Sequence, residues 1–248
     1  MEEAKDLFKK RSVPPDWINL SPKDFVKKWY DDYYSQCVYC NAAGVGQRFM
    51  HRSIEARHNS DIHFDRVLEI GGNQGEHLQF IRHSFNEYFL TDIADTSKKL
   101  LAKSQPIGLQ FKVEDACSLS FEDEFFDRVL CSCVLHHVGN AESALCELRR
   151  VLKPGGKADI FLSCDPGFAF RLGRYLGPVR EAKKLGLDDV KRLLDARDHR
   201  NHVAGLTRLI RFVFRNDSFV EKSYPIPHLS WNFSFWKVFE ITKRIESK

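Results

Sequence analysis

The chain has 248 residues, 43% hydrophobic and 29% charged, with a formal net charge of +4. Such a composition belongs to a globular protein able to bury a core without metal or disulfide staples, and it excludes disordered, collagenous and membrane-spanning classes. The densest basic stretch, 183–211, is interrupted by Asp188, Asp189, Asp195 and Asp198. It reads as a solvated helix face rather than a phosphate track, so no nucleic-acid partner is expected.

Seven cysteines fall at 37, 40, 117, 131, 133, 146 and 164. An odd count lying mostly in apolar runs predicts reduced thiols and a cytoplasmic protein. Cys37 and Cys40 form a C-x-x-C pair, but no second pair follows at zinc spacing, and no metal is expected. The first fifteen residues lack the apolar core of a signal peptide, and no run is long enough to span a membrane.

Residues 1–63 are predicted to form a helical N-terminal segment, a packing element or lid. Ser21 before Pro22 marks a helix start, and Phe25, Trp29 and Tyr33 share one face. Residues 64–248 are predicted to form the main domain. Strands are expected at Arg66–Ile70, Glu87–Thr91, Gln110–Glu114, Arg128–Cys133 and Lys157–Ser163, alternating with helices at Glu76–His83, Thr96–Ser104 and Ala141–Leu152. The alternation implies an α/β, Rossmann-like doubly wound sheet. A cap insertion is expected over about 166–216, with helices at Asp188–Asp198 and Leu206–Phe214. Strands Phe219–Ile226 and Trp236–Thr242 complete a mostly parallel sheet with an antiparallel last strand.

Ligands of such sheets bind beyond the carboxyl ends of the strands. After the first strand comes Glu69-Ile70-Gly71-Gly72-Asn73-Gln74-Gly75. The glycines allow close approach of backbone to a ligand, while the acid suits a cationic group better than a pyrophosphate. This spacing disfavours a dinucleotide-dependent oxidoreductase. The second strand ends at Asp92-Ile93, where a carboxylate can accept from both ribose hydroxyls. The third ends at Glu114-Asp115-Ala116, where one can accept from an adenine amine.

With those residues in order, the segment Val67 to Phe161, about 95 residues, resembles a class I S-adenosylmethionine-dependent methyltransferase of the ubiquinone-biosynthesis, type 11-like group. The matching pieces continue through Phe126-Asp127-Arg128-Val129, Val134-Leu135-His136-His137-Val138 and the helix that runs from Glu147 into Pro154-Gly155-Gly156. The resemblance implies S-adenosylmethionine as cofactor, with S-adenosylhomocysteine as product. It implies that Glu69, Gly71, Gly72, Asn73 and Gly75 shape the methionine pocket. Asp92 and Ile93 would hold the ribose and adenine, Asp115 and Ala116 the adenine edge, and Ser132 and Cys133 the methyl-donor pocket. Asn73 stands where the family usually has a third glycine, and Asn tolerates the left-handed backbone better than most residues. Arg52, before the first strand, is a candidate partner for the methionine carboxylate.

A hydroxyl acceptor needs a base. His136 and His137, just past the fourth strand, and Asp165, just past the fifth, are the candidates. The expected reaction is methyl transfer to a small molecule, at a hydroxyl oxygen, with a saccharide among the options. An RNA or protein methyltransferase, or a non-catalytic S-adenosylmethionine-binding protein, would share the same core. The 199–202 segment, His-Arg-Asn-His, is a candidate substrate contact from the cap.

Overall fold

The computed structural model describes residues 13–39, 41–95 and 106–245. The predicted helix at 96–104 and Cys40 lie outside them. Among the described residues the strands are β1 (His63–Ile70), β2 (Ser84–Asp92), β3 (Leu109–Val113), β4 (Phe126–Ser132), β5 (Leu152–Ser163), β6 (Ser218–Tyr224) and β7 (Trp236–Thr242). They form one sheet in the order β3-β2-β1-β4-β5-β7-β6. The first five pair in parallel, and β7 runs antiparallel to both β5 and β6. The doubly wound, mostly parallel sheet is as the alternation predicts. Its central strands read as continuous apolar runs because both faces are covered: Val67, Leu68, Val129, Leu130 and Ile160 are all fully buried. The chain moves outward from β1 to β3 and returns to β4 on the other side of β1, so strand order reverses between β1 and β4.

By compactness, the described residues divide into two units. One runs up to Phe49 and includes Arg171–His199; the other comprises Met50–Phe170 and the chain from Arg200 onward. In chain order the helices are α1 (Pro15–Ile18), α2 (Pro22–Lys28), a π-helical turn (Trp29–Tyr33), α3 (Tyr34–Val38), α4 (Asn41–Ile54), α5 (Ala141–Val151), α6 (Phe168–Leu176), α7 (Pro178–Lys184), α8 (Asp188–Asp198) and α9 (Val203–Val213). In the first unit, the Ser21 hydroxyl accepts from the Asp24 amide at 3.1 Å and caps α2. Phe25 and Trp29 are each 1% exposed and pack with Trp17, Val190 and Leu194, so the predicted aromatic face is a core stripe. Cys37 is buried in that same core.

In the second unit, Asn140 caps α5 by accepting from the Ser143 amide at 3.0 Å. Ala141, Ala144, Leu145, Leu148 and Val151 then bury one face of α5 at helical spacing. Helix α9 joins that core through Val203, Leu206 and Ile210.

Two elements differ from expectation. The helix predicted at Glu76–His83 does not form: turns and a 3-10 segment at Leu78–Phe80 lead into β2, which starts already at Ser84. Its helical spacing is overridden because His77 and His83 turn inward to polar partners, at 1% and 5% exposure. Strand β5 begins at Leu152 rather than Lys157. Here Pro154-Gly155-Gly156 lies within the strand, with Gly155 left-handed at φ 78° and its amide bonded to the Lys243 carbonyl at 2.9 Å.

Candidate active site

The carboxyl ends of β1 and β4 meet at the reversal point. Gly71 sits there at φ 68°, and a Cβ on it would lie 2.1 Å from Val134 Cγ2, so only glycine fits between the two loops. Gly72 is equally constrained: a Cβ would come within 2.6 Å of Leu90 Cγ and 3.1 Å of Glu69 Cδ. Asn73 adopts φ 45°, the left-handed conformation its side chain tolerates. The loop is closed by backbone bonds, Gly72 to the Thr91 carbonyl at 3.0 Å and Gly75 to the Gly72 carbonyl at 2.8 Å. Glu76 locks it further, accepting from Asn73 Nδ2 and from the Gln74 amide.

The three strand-end acids occupy different environments. Asp92 is half-buried, and its two oxygens accept from the Asn73 amide at 3.1 Å and the Ala94 amide at 3.0 Å. A carboxylate has about four acceptor directions, so two remain for a ligand. Ile93 beside it is 74% exposed. Asp115 is exposed, with one oxygen taken by the Cys117 amide at 2.8 Å, and Ala116 is buried beneath it. Glu69, the penultimate residue of β1, is the buried one of the three. It is 2% exposed, lies under Gly72 and accepts from the Tyr88 hydroxyl at 2.8 Å. Burial pushes its carboxyl above the ordinary range, against the pull of His77 and Tyr88. Of the three acids, Asp92 and Asp115 reach the surface and Glu69 lies beneath the loop.

Past β4, Ser132 and Cys133 are half-buried, and Cys133 takes φ 61°. Burial pushes the Cys133 thiol up to about 12, so it is no nucleophile at neutral pH. His136 is 1% exposed. Its Nδ1 donates to the Asn201 carbonyl at 2.8 Å, which leaves Nε2 to accept from the Ser163 hydroxyl at 3.0 Å. The Arg200 and Asn201 amides bond back to its carbonyl. This is the geometry of a strut, with both ring nitrogens engaged in hydrogen bonds within the fold. Asn201 also donates to the Leu135 and Val138 carbonyls, both at 2.9 Å. Arg200 and Asn201 thus brace the turn after β4. His137 and Asp165 are half-buried at the ends of β4 and β5, and Arg52 is exposed on α4.

Beneath the glycine loop lies a buried polar network that periodicity did not reveal. Arg128, 0% exposed on β4, donates from Nη2 to Glu55 Oε1 at 2.6 Å, from Nε to Asp159 Oδ2 at 2.9 Å and from Nη1 to His83 Nε2 at 2.6 Å. His58 donates to Asp159 at 2.7 Å, and His77 Nε2 to Glu55 at 2.9 Å. His77 Nδ1 lies 2.9 Å from His51 Nδ1. The signal was available: Arg128 and Asp159 interrupt the apolar runs of adjacent central strands, where unpaired charge is not tolerated.

This network predicts acid lability. Burial and the neighbouring His77 lower His51 to about 3; burial and Arg128 lower His83 to about 4. Both stay neutral in the fold, whereas unfolded imidazoles titrate near about 6.5. Below that pH the unfolded chain binds more protons, so stability falls as pH drops toward 4, by about 1.4 kcal/mol per unit for each histidine. Burial disfavours ionised Glu55, but His77 and Arg128 outweigh it and hold the group near about 2, which extends the loss below the ordinary carboxylate pKa. Denaturant titrations are expected to give roughly 3–4 kcal/mol less stability at pH 5 than at pH 7.5; equal stabilities would contradict the neutral assignment.

Residues 68–160 match the family described as a methyltransferase domain. Over 98 residues the chain is 38% identical to the ubiquinone/menaquinone biosynthesis C-methyltransferase UbiE of Bordetella avium, covering 37% of this chain and 38% of that one. Over 103 residues it is 35% identical to the hybrid PKS-NRPS synthetase poxE of Penicillium oxalicum, covering 37% of this chain and 2% of that protein. The chain therefore spans well under half the length of these curated relatives. The solved structure of the CurJ carbon methyltransferase superposes with a TM-score of 0.59 at 15% identity, over 91% of this chain and 62% of that one. That likeness speaks to the fold alone. Residues 68–160 therefore carry the match to the methyltransferase-domain family, and the reversal-point loop and the acids ending β2 and β3 lie within that matched segment.

Proposed function

We propose that this protein transfers a methyl group from S-adenosylmethionine to a small-molecule acceptor. The observation that carries the reading is Asp92, an ionisable side chain fixed at the end of β2 by two backbone amides with acceptor capacity to spare. The donor set fits the ligand: an acceptor for a ribose diol at Asp92, an exposed apolar surface for a base at Ile93, an acceptor for an exocyclic amine at Asp115, and a loop stripped of side chains at Gly71, Gly72 and Gly75. When bound, S-adenosylmethionine supplies a methyl group already activated on a sulfonium sulfur.

The chain's own residues then bind, orient and exclude water. Ala116 packs against the adenine edge, Asn73 keeps the left-handed turn, and Ser132 with Cys133 lines the wall beside the donor. Arg52 pairs with the methionine carboxylate. Direct displacement needs the acceptor in line at near-attack distance more than it needs acid–base help. With His136 held as a strut, proton removal from a hydroxyl acceptor falls to His137 or Asp165. An oxygen acceptor follows from that pair; a carbon acceptor is the second reading, supported by the C-methylation named for the Bordetella avium relative. Among the described residues no helix is long and apolar enough to cross a membrane, and the six cysteines there are free thiols, which supports work in the reducing cytoplasm.

Calorimetry with S-adenosylhomocysteine is expected to show one-to-one binding, and its absence would overturn the reading. Incubating the protein with a small-molecule extract and cofactor carrying a 13C-methyl label decides the acceptor atom. A methoxy signal is expected, a C-methyl signal favours the second reading, and label confined to RNA or protein removes the small-molecule assignment.

A further inference from the structure

We propose that the buried Glu55–His77 pair, fixed by Arg128 and flanked by His51, is the positioning device of the cofactor loop, standing where a helix over 76–83 would otherwise carry it. The proposal rests on the reading of the Gly71–Asp92 edge as the S-adenosylmethionine site. In a strand–loop–helix unit, the first turn of the helix fixes the far end of the loop through its hydrogen bonds. Here that helix is missing, and the loop still has to present its backbone to a ligand in one conformation.

The near end of the loop is held by the Thr91 carbonyl and Asp92. The far end is held by the Leu78 amide on the Gly75 carbonyl, by Glu76 and, in the interior, by the His77 side chain. His77 turns inward, 1% exposed, and its Nε2–H donates to Glu55 Oε1 at 2.9 Å. Glu55 stays ionised across the working pH range, so it can only accept, and this fixes a proton on His77 Nε2. On the other side, His77 Nδ1 meets His51 Nδ1 at 2.9 Å, and the His51 ring is stacked on Phe80 with centroids 4.7 Å apart. The imidazole is gripped from both edges and cannot swing. Glu55 is in turn immobilised by Arg128 Nη2 at 2.6 Å. Arg128 belongs to β4, the strand whose end carries Ser132, so a continuous line of charge-assisted bonds joins the cofactor loop to the wall of the site. These side chains are buried in the interior and act through the loop.

The test is the dissociation constant for S-adenosylhomocysteine, measured by calorimetry on the full chain alongside circular dichroism. His77→Phe keeps ring volume and removes both hydrogen bonds. It is expected to weaken binding about tenfold to a hundredfold, the scale on which small misplacements act. His77→Gln retains a donor toward Glu55 and is expected to recover most of the affinity, which a general packing defect would not allow. If His77→Phe does not fold, His77→Asn, polar but too short to reach Glu55, is compared with His77→Gln in the same way. Folded Phe or Asn variants binding within twofold of wild type, or a Gln variant as weak as they are, would overturn the proposal. Wild-type protein that fails to bind at all overturns the functional reading instead.

Discussion

Arg128→Met is expected to lose about 3–5 kcal/mol of folding stability, because it removes the charge that two buried carboxylates face. Arg128 is fully buried, and Glu55 accepts from it and from His77. Methionine fills a similar volume without donors, so Glu55 would stay ionised with one partner or take up a proton at a cost. Global stability of a domain is only about 5–15 kcal/mol, so this is a large fraction. For a chain of this size the thermal midpoint should fall by about 6–20 °C, read by circular dichroism at pH 7.5. Arg128→Lys should fall between, since an ammonium keeps the charge but loses the fork that reaches Glu55, Asp159 and His83 together. A methionine variant melting within 2 °C of wild type, on the scale of about 1 kcal/mol or less, would show that the network contributes little.

Asp92→Ala is expected to weaken S-adenosylhomocysteine binding by about a hundredfold to a thousandfold. The proposed ribose contacts are hydrogen bonds to a charged group, about 1.5–3 kcal/mol each, and about 1.4 kcal/mol is a factor of ten. The same substitution frees the Asn73 and Ala94 amides, so the loop loses its near anchor as well. Stability should change far less than affinity, because the carboxylate is half-buried at a strand end. Asp92→Asn keeps an acceptor oxygen and should lose only part of the effect. Calorimetry on the three proteins separates these outcomes; an alanine variant binding within threefold of wild type would remove Asp92 from the site.

The sheet was legible because its signal is spread over many residues. Apolar runs at Val67–Ile70 and Val129–Cys131 can be nothing but central strands when helical patterns separate them, and Trp236–Thr242 was placed to the residue. The edge acids and glycines were legible because a strand end is where a parallel sheet binds ligands. What could not be read was direction. Glu69 looks like Asp92 in sequence, yet a strand's alternation and the tight passage under Gly72 send it inward. His136 and His137 look alike, yet the Asn201 turn, 65 residues away in sequence, closes on His136. The helix at 76–83 failed for the same reason: the pattern of Leu78 and Ile81 is local, whereas Glu55, which draws His77 inward, lies in another element.

The three-way contact of Arg128 with Glu55 and Asp159 also constrains how such a chain can drift. Each member sits on a different element, α4's 3-10 continuation, β4 and β5, and each is sealed from water. A change at any one of the positions takes a partner from a buried charge, so single replacements should be selected against. Related chains are then expected to hold either the full ionic set or an apolar set at all three places, exchanged together rather than stepwise.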